Sequence, residues 1–325
     1  MISPPPISPG ATLADVGEFG LIAAITADLA LAPDVRLGPG DDAAVLSVDS
    51  QLVTSVDVLV EDVHFKRSWS DAGDIGRKAV AVSVADLEAM GARPTGLLVG
   101  FSAPPELEAR WALDFAAGLR SECETAGVSL VGGDVTRSRD ITLAMTVLGV
   151  LDGREPVRRS GARPGDVVAI RGRLGWAAAG LAVLRRGFRS PRAAVEAQRV
   201  PQVPYGAGAL AAAAGATAMI DISDGLLADL GHVARSSRVT IDLQREAFEV
   251  AEPLRVVAVA TNTDPFLMIL TGGEDHALAA TFAPAAVPED WLIVGRVDEP
   301  GEQPVLVDGA VWESPTGYDH FAARR

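Results

Sequence analysis

Acidic residues that follow turn or strand signals are the feature of this 325-residue chain that most suggests chemistry. The set consists of Asp41, Asp42, Asp57, Asp86, Asp134, Asp221, Asp224, Glu274 and Asp275. Carboxylates on separate elements repel one another if folding brings them together, unless a cation neutralises them. Mg²⁺ prefers oxygen ligands and usually arrives with phosphates. The acids therefore predict a cluster of Mg²⁺ ions that serves phosphate chemistry.

The rest of the composition excludes or disfavours several other kinds of protein. The chain has no P-loop motif, and Lys66 and Lys78 are its only lysines. Asp and Glu outnumber Lys and Arg by 43 to 28, which gives a net charge of −15 and disfavours nucleic acids and anionic membranes as partners. The single cysteine, Cys123, excludes an intramolecular disulfide and a cysteine-based zinc site. Its place in an apolar helical pattern predicts a core position.

Neither a signal peptide nor a membrane segment is predicted. Residues 1–10 are Pro-rich and have no basic start followed by an apolar stretch. No run approaches the ~20 apolar residues that cross a bilayer as a helix. The sequence therefore predicts a soluble, cytoplasmic protein.

The length exceeds what a single core usually holds, so two domains are predicted, at 11–150 and 151–325. The boundary is placed in a stretch rich in Gly, Arg and Pro. Helical and strand patterns both occur along the chain. Helices are predicted at 15–31, 75–90, 106–126 and 205–214, and strands at 43–48, 52–60, 128–131, 218–222 and 266–270. The stretch 187–204 is predicted to be a connector.

Two acidic positions lie close together near the start of the predicted first sheet. Gly40-Asp41-Asp42 is turn chemistry, so a solvated loop and a metal-binding loop both remain open. Asp57 is predicted to end a strand directly after Ser55 and Val56, although Asp is depleted in strands. An acid beside a hydroxyl at a strand end is predicted to bind a metal.

Asp86 interrupts a helix that is apolar nearly all round and is therefore predicted to be buried. A buried lone carboxylate is costly unless it is paired or coordinated. An ion pair with Arg77 or Arg93 is one solution, and a metal is the other. The number of other acids in the chain favours the metal.

Two further motifs combine acids with groups that approach phosphates. Gly132-Gly133-Asp134 is predicted to end a strand, where glycines let backbone amides approach a phosphate, although the same tripeptide also forms simple turns. The second motif, around Ser223 and Asp224, joins a strand to a helix. There Ser223 is a good N-cap and Asp224 would complement the helix dipole, but free amides at the helix start would also bind an anion.

Taken in order, these motifs resemble those of the thiamine-monophosphate kinase family, whose superfamily includes aminoimidazole-ribonucleotide synthetase. The resemblance runs over about residues 15–321, and its specificity lies in the number and order of modest motifs. These are Gly17-Glu18-Phe19, Gly40-Asp41-Asp42, Ser55-Val56-Asp57 with His64-Phe65, residues 83–92, Gly132-Gly133-Asp134, residues 159–162, residues 221–226, Gly272-Gly273-Glu274-Asp275 and residues 317–321.

The resemblance implies an α/β (α+β) fold of two domains, each a mixed β-sheet covered by helices. It also implies a homodimer in which the N-terminal sheets pack together. Residues 11–150 would bind metal and ATP and form the dimer, and residues 151–325 would complete the active site. The implied reaction is ATP-dependent phosphorylation of thiamine monophosphate to thiamine diphosphate by direct in-line transfer between Mg²⁺-bridged phosphates.

The same resemblance implies roles for individual residues. The implied Mg²⁺ ligands are Asp42, Ser55, Val56 through its carbonyl, Asp57, Asp86, Asp134, Asp221 and Asp224, of which Asp57, Asp86, Asp134 and Asp221 would be catalytic. The implied ATP contacts are Gly133, Asp134, Arg159 and Ser223. The implied substrate contacts are His64, Glu274 and Trp312. Two alternatives remain: another ATP-using enzyme similar to aminoimidazole-ribonucleotide synthetase, and a noncatalytic regulator that binds nucleotide and metal.

Overall fold

The computed structural model describes residues 7–27, 29–39, 43–314 and 317. The chain divides into two compact units. The first unit comprises Met1–Leu87 and Arg93–Gly153, and the second comprises Glu88–Ala92 and Arg154–Arg325. The predicted domain boundary, between residues 150 and 151, lies close to this division. The sequence prediction assigns Glu88–Ala92 to the first domain, whereas the structure groups this short segment with the second unit.

The first unit is built on a four-stranded mixed sheet. Its elements are α1 (Leu13–Val16), α2 (Glu18–Thr26), β1 (Val35–Leu37), β2 (Val45–Leu46), β3 (Leu52–Val60), α3 (Ala72–Ala89), β4 (Arg93–Ala103), α4 (Ala109–Ala126), β5 (Ser129–Arg137) and β6 (Thr142–Val150). The strand order is β3-β6-β4-β5, with β4 and β5 parallel and the other pairs antiparallel. Strands β1 and β2 form a separate antiparallel pair.

Helices α3 and α4 approach each other at glycines. A Cβ on Gly76 would lie 2.2 Å from the carbonyl oxygen of Phe115, and one on Gly118 would lie 2.1 Å from that of Gly73. Only glycine permits this backbone separation. The close crossing helps to bury α3, as its apolar pattern predicts, and Phe115 stacks on Trp111 beneath Phe101 of β4. Cys123 of α4 is 5% exposed, so its predicted core position is confirmed.

The second unit contains a six-stranded mixed sheet. Its elements are β7 (Val167–Arg171), α5 (Trp176–Arg185), α6 (Arg192–Arg199), α7 (Ala207–Ala213), β8 (Ala218–Asp221), α8 (Leu226–Ser237), β9 (Thr240–Leu243), α9 (Glu252–Thr261), α10 (Pro265–Thr271), β10 (Leu278–Phe282), β11 (Leu292–Asp298) and β12 (Val305–Val307). The strand order is β12-β9-β11-β7-β10-β8, with β12 and β9 parallel. Both sheets are therefore mixed, and the predicted α/β class is confirmed.

Glu88 explains why the end of α3 is grouped with the second unit. Its buried carboxylate accepts hydrogen bonds from the amides of Gly206 (2.7 Å) and Gly208 (2.9 Å), which begin α7. Burial raises the pKa of Glu88, while the two amide bonds act in the opposite direction. The carboxylate thus caps α7 in place of a local N-cap side chain.

Three predicted elements differ from the structure. Residues 266–270 form helix α10 rather than a strand, because Asp264 caps the helix through the amide of Phe266 and Pro265 begins it. This N-terminal signal outweighs an apolar run too short to distinguish strand from helix. The predicted helix 15–31 is two helices, interrupted at Gly17 with φ 71°. The predicted connector 187–204 contains helix α6.

Among the described residues, no single helix is both long and apolar enough to cross a membrane. Helices α9 and α10 would meet the length and composition together, but they are bent by 114° relative to each other.

Candidate functional site

Ser55 and Asp57 are positioned by strand β3 at the edge of the first sheet. The two residues are separated by one position, so they share a face and lie ~7 Å apart along the strand. Both are half-buried, whereas the intervening Val56 is 63% exposed on the opposite face. Asp57 does not end the strand as predicted, because β3 continues to Val60 in register with β6.

Asp86 reaches this same face of β3 from helix α3. The hydroxyl of Ser55 donates a hydrogen bond of 2.5 Å to Oδ2 of Asp86, across 31 positions of sequence. The two arginines considered as its ion-pair partners bond to other carboxylates: Arg77 to Glu122 at 2.9 Å, and Arg93 to Asp34 and Asp152. The structure therefore brings Ser55 and Asp86 together, with Asp57 on the same strand face.

His64 is held by one hydrogen bond to its ring and one to its backbone carbonyl. The amide of Val60 donates to Nδ1 of His64 at 3.0 Å, and Nζ of the buried Lys78 donates to its carbonyl at 3.1 Å. Because Nδ1 accepts this hydrogen bond, a neutral His64 carries its proton on Nε2. The imidazole is therefore a hydrogen-bond donor through Nε2.

Gly133 and Asp134 lie within β5, which continues to Arg137, so the predicted strand end at Asp134 is wrong. The register Asp57↔Met145, Met145↔Val99 and Val99↔Gly133 places Gly133 level with Asp57 and on the same face. Alternation along β5 then directs the exposed Asp134 to the other face. A Cβ on Gly133 would lie 2.1 Å from the carbonyl oxygen of Val99, so the neighbouring strand itself requires glycine there.

Asp42 lies outside the described residues, so its predicted role as a ligand remains a prediction. Within the described part of the chain, no three or more His, Cys, Asp or Glu side chains are grouped so that they could hold a metal by themselves. The convergence of all the acids on one ion cluster therefore remains a prediction.

In the second unit, Asp221 ends strand β8 and is buried. Its Oδ2 lies 3.1 Å from Nδ1 of His276, and the two side chains are 6% and 8% exposed. His276 comes from the segment before β10, 55 positions further along the chain. The pairing of Leu278 with Asp221 in the sheet brings the two segments side by side.

The turn after Asp221 is organised by a residue that the sequence analysis missed. Helix α8 begins at Leu226 with Gly225 as its N-cap, so the expected N-cap role of Ser223 is wrong. Oδ2 of the buried Asp229 instead accepts bonds from the amides of Asp224 (3.1 Å) and Gly225 (3.0 Å). These amides, which were expected to be free for an anion, are bonded to a carboxylate. The only signal for this was an acid in the first turn of α8.

Asp229 also reports the electrostatics of this turn. The pKa of Asp229 is raised to about 7, chiefly by burial and then by the nearby negative charge of Asp221, with a smaller contribution from that of Asp224. The two amide bonds oppose the shift but do not cancel it. The turn therefore concentrates carboxylates whose mutual repulsion favours a cation.

The segment 272–277 is joined to the turn 221–225 by main-chain hydrogen bonds. The amides of Glu274 and His276 donate to the carbonyls of Ser223 (2.8 Å) and Ile222 (2.9 Å). A Cβ on Gly273 would lie 2.5 Å from the carbonyl oxygen of Ser223. The structure thus places the predicted substrate contact, Glu274, directly beside the predicted ATP contact, Ser223.

Asp275, next to Glu274, has a structural role. Its carboxylate accepts bonds from the amides of Gly175 (2.5 Å) and Ala177 (2.8 Å) and so caps helix α5. Burial raises its pKa to about 7, in spite of these two bonds. The acid following Gly-Gly-Glu therefore fixes the segment to α5 and does not face Asp221.

The predicted contacts Arg159 and Trp312 both lie near helix α8. Arg159 is exposed, and its carbonyl accepts a bond of 3.2 Å from Ser237. Burial lowers the pKa of His232, and the charges of Arg235 and Arg159 lower it further. Arg159 is thus close enough to α8 to act on His232.

Trp312 lines a cavity of about 210 Å³ against α8. The other lining residues include Leu227, Gly231, His232 and Arg235. Its Nε1 has no hydrogen-bond partner among the described residues. A Cβ on Gly317 would lie 2.7 Å from the carbonyl oxygen of Asp224. Gly317 therefore lies beside the turn that carries Asp224.

Comparisons with known proteins match both parts of the chain to family models and nearly its whole length to relatives. Residues 40–151 match the family model for the N-terminal domain of AIR synthase related proteins, and residues 163–308 match that for the C-terminal domain. The thiamine-monophosphate kinase of Mycobacterium tuberculosis is 46% identical over 312 residues, which cover 95% of this chain and 93% of the relative. That of Corynebacterium glutamicum is 38% identical, with 90% of each chain covered.

Solved structures give the same answer. The thiamine-monophosphate kinase of Stenotrophomonas maltophilia has a TM-score of 0.77 and 32% identity, covering 89% of this chain and 95% of that one. A structure described as AaThiL complexed with AMPPCP and TMP also has a TM-score of 0.77 and 32% identity, covering 97% and 100%. Together with the near-complete coverage by curated relatives, these matches show that the chain belongs to the thiamine-monophosphate kinase family.

Proposed function

We propose that this protein transfers the γ-phosphoryl group of ATP to the phosphate of thiamine monophosphate, forming thiamine diphosphate and ADP. The observation that carries the proposal is the hydrogen bond between Glu274 and Ser223, which places the implied substrate contact beside the implied ATP contact. The relative AaThiL, which aligns with 97% of this chain, is described with both AMPPCP and TMP bound. A site that holds both ligands needs such adjacent contacts.

The proposed transfer is direct and in line, without a covalent enzyme intermediate. The attacking oxygen belongs to a phosphate that is already ionised near neutral pH, so no strong general base is required. The obstacle is repulsion between two phosphate anions, and catalysis then consists of positioning and electrostatic stabilisation. Lysines supply little of the positive charge that offsets this repulsion, because the chain has only Lys66 and Lys78.

The residues present fit Mg²⁺ as the source of that charge. The first unit offers Ser55, Asp57 and Asp86, and the second offers Asp221 and Asp224, all with the oxygen atoms that Mg²⁺ prefers. The buried Asp229, whose pKa is raised first by burial and then by the charge of Asp221, shows that carboxylates lie close together at this turn. Asp42 and the carbonyl of Val56 belong to the proposed ligand set, and so does Asp134, although its side chain lies on the sheet face opposite Asp57. When bound, Mg²⁺ would neutralise and orient the phosphates.

The remaining roles belong to side chains that bind and orient. His64 donates through Nε2 to an acceptor atom of thiamine monophosphate, because Nδ1 is already used by Val60. Arg159 contributes positive charge to the ATP phosphates, and Glu274 contacts the thiamine moiety, with Trp312 packing on it. The backbone around Gly133 and Asp134 completes the proposed ATP contacts.

We also propose that the protein is a homodimer formed through the first sheet. Leu52, Val56 and Val58 of β3 are 51%, 63% and 49% exposed on the face opposite Ser55 and Asp57. A row of exposed apolar side chains on a sheet face is typical of an interface. Size-exclusion chromatography with light scattering should give a dimer for the wild type and a monomer for Val58→Lys. Val259→Lys, on the 84% exposed Val259 of α9, is the control that should remain dimeric. A monomeric wild type would contradict the dimer.

The catalytic proposal is tested by incubating the protein with Mg-ATP and thiamine monophosphate and separating the products by chromatography. Equal amounts of ADP and thiamine diphosphate are expected. ATP consumption only with formylglycinamidine ribonucleotide would instead identify an enzyme similar to aminoimidazole-ribonucleotide synthetase. ATP binding with neither product would identify a noncatalytic regulator, and either result would overturn the proposal.

A further inference from the structure

His276 is placed between the metal side and the substrate side of the second unit. Its Nδ1 lies 3.1 Å from Oδ2 of Asp221, and both side chains are almost fully buried. Its amide donates to the carbonyl of Ile222, and Glu274, two positions earlier, is bonded to Ser223 in the same way. One short segment therefore contacts both Asp221 and the turn that follows it.

The backbone of this segment is strained at both residues that face the site. Glu274 has φ 69° and His276 has φ 50°, which are left-handed conformations that non-glycine residues rarely adopt. Such conformations persist only where surrounding contacts fix them, and they cluster at functional sites. Here the main-chain bonds to Ile222 and Ser223 supply those contacts.

The neighbouring Asp275 shows that the anchoring of the segment does not depend on His276. Its carboxylate caps α5 through the amides of Gly175 and Ala177. The His276 side chain instead contacts the Asp221 carboxylate. Asp275 therefore attaches the segment to α5, and His276 is left to orient Asp221.

We infer that His276 is a positioning residue for Asp221. A neutral imidazole donates Nδ1–H to Oδ2 and fixes the orientation of the carboxylate, leaving Oδ1 to act as a ligand. Because Glu274 belongs to the same strained segment, the orientation of Asp221 and the position of the substrate contact are set together. The inference rests on the proposed function for the roles of Asp221 and Glu274. Loss of a hydrogen bond that orients a metal ligand typically lowers the affinity for the metal by roughly 10–100-fold.

The experiment measures how much Mg²⁺ is needed for binding of a non-hydrolysable ATP analogue, by isothermal titration calorimetry without thiamine monophosphate. The first pair of variants is His276→Ala, which removes the donor, and His276→Asn. The Asn amide nitrogen occupies nearly the position of Nδ1, and Asn tolerates a left-handed backbone. The control is Thr281→Val, which removes buried hydrogen bonds to Thr217 and Ala218 at the far end of the same strand pair.

His276→Ala should raise the half-saturating Mg²⁺ concentration at least about tenfold, whereas His276→Asn should stay within about threefold of the wild type. Thr281→Val should lower the melting temperature without changing the Mg²⁺ requirement. An unchanged requirement in His276→Ala, or no restoration by His276→Asn, would overturn the inference. Thiamine diphosphate formation by the wild type is assayed separately, so a failure of the proposed function is distinguished from a failure of this role.

Discussion

The two groups of implied metal ligands are built in different ways. In the first unit, Ser55 and Asp57 follow from the alternation of a half-exposed edge strand, and Asp86 reaches them from one helix. In the second unit, Asp221 is buried and is held by a segment 55 positions away. The first group is placed by the regular register of a sheet, and the second by hydrogen bonds between two irregular segments. The alternation of strand β3 is therefore enough to place Ser55 and Asp57 on one face, whereas no local pattern predicts the partner of Asp221.

The largest expected effect is a loss of activity when one acidic residue of either group is replaced. Asp57→Asn and Asp221→Asn should each lower thiamine diphosphate formation at least about 100-fold, because each would remove a charged ligand from the proposed Mg²⁺ ions. Initial rates measured with coupled detection of ADP check this. Asp114→Asn, which breaks an exposed ion pair with Arg110, should retain full activity. Near-normal turnover in either ligand variant would remove that residue from the proposed set.

The substitution Gly133→Ala tests how far the first group depends on the pairing of strands β4 and β5. Its Cβ would lie 2.1 Å from the backbone oxygen of Val99, so strands β4 and β5 must separate, at a cost of about 3 kcal/mol in the free energy of unfolding. Gly132→Ala meets only the flexible end of Leu98 at 3.1 Å and should cost less than about 1 kcal/mol. Urea denaturation of the two variants measures the difference. Equal stabilities would mean that β5 adapts freely.

The substitution Gly273→Ala tests the contact between segment 272–277 and the turn 221–225. The new Cβ would lie 2.5 Å from the Ser223 carbonyl oxygen and would force apart the segments that hold Glu274 and Asp221. We expect a loss of about 2 kcal/mol in stability and weaker binding of both ATP and thiamine monophosphate. Gly301→Ala, which meets the hydroxyl of Thr240 at 3.1 Å, is the control and should bind both normally. Selective loss of one ligand would argue against a shared framework.

The smallest expected effect is a pH dependence that sharpens the role of Asp275. Its folded pKa of about 7 lies above the ordinary value of 3.8. The unfolded chain therefore releases this proton before the folded chain does, and stability contributed by the protonated carboxyl is lost as pH rises toward 7. The free energy of unfolding of the wild type minus that of Asp275→Asn should accordingly fall between pH 4 and pH 7. Urea denaturation across this range measures it, and a rising difference would contradict the raised pKa.

Much of the fold followed from periodicity. The apolar pattern around Cys123 and the all-round apolar helix before Asp86 correctly predicted buried positions, because burial imposes a local pattern on a helix. Strand β3 was predicted with its observed bounds. The strand predicted at residues 266–270 was wrong because five apolar residues fit either element, and the capping Asp264 decided in favour of a helix.

The candidate site was less accessible to sequence reasoning. Ser223 was a plausible N-cap, yet Asp229 bonds to the amides of that turn from within the helix. Asp134 was expected at a strand end, although β5 continues past it. In both cases the competing partner, a later carboxylate or a neighbouring strand, is chosen by tertiary contacts that leave no periodic signal.

The sequence alone determined the order of the acids, the α/β class and the resemblance that the family comparisons confirmed, because these depend on residue types and short-range spacing. Only the tertiary structure decided that His276 orients Asp221 and that Asp275 caps α5. Sheet pairing likewise decided that Gly133 lies level with Asp57. The physical reason is that hydrogen bonds and strand pairs join segments far apart in the chain, and each depends on geometry that no single segment contains.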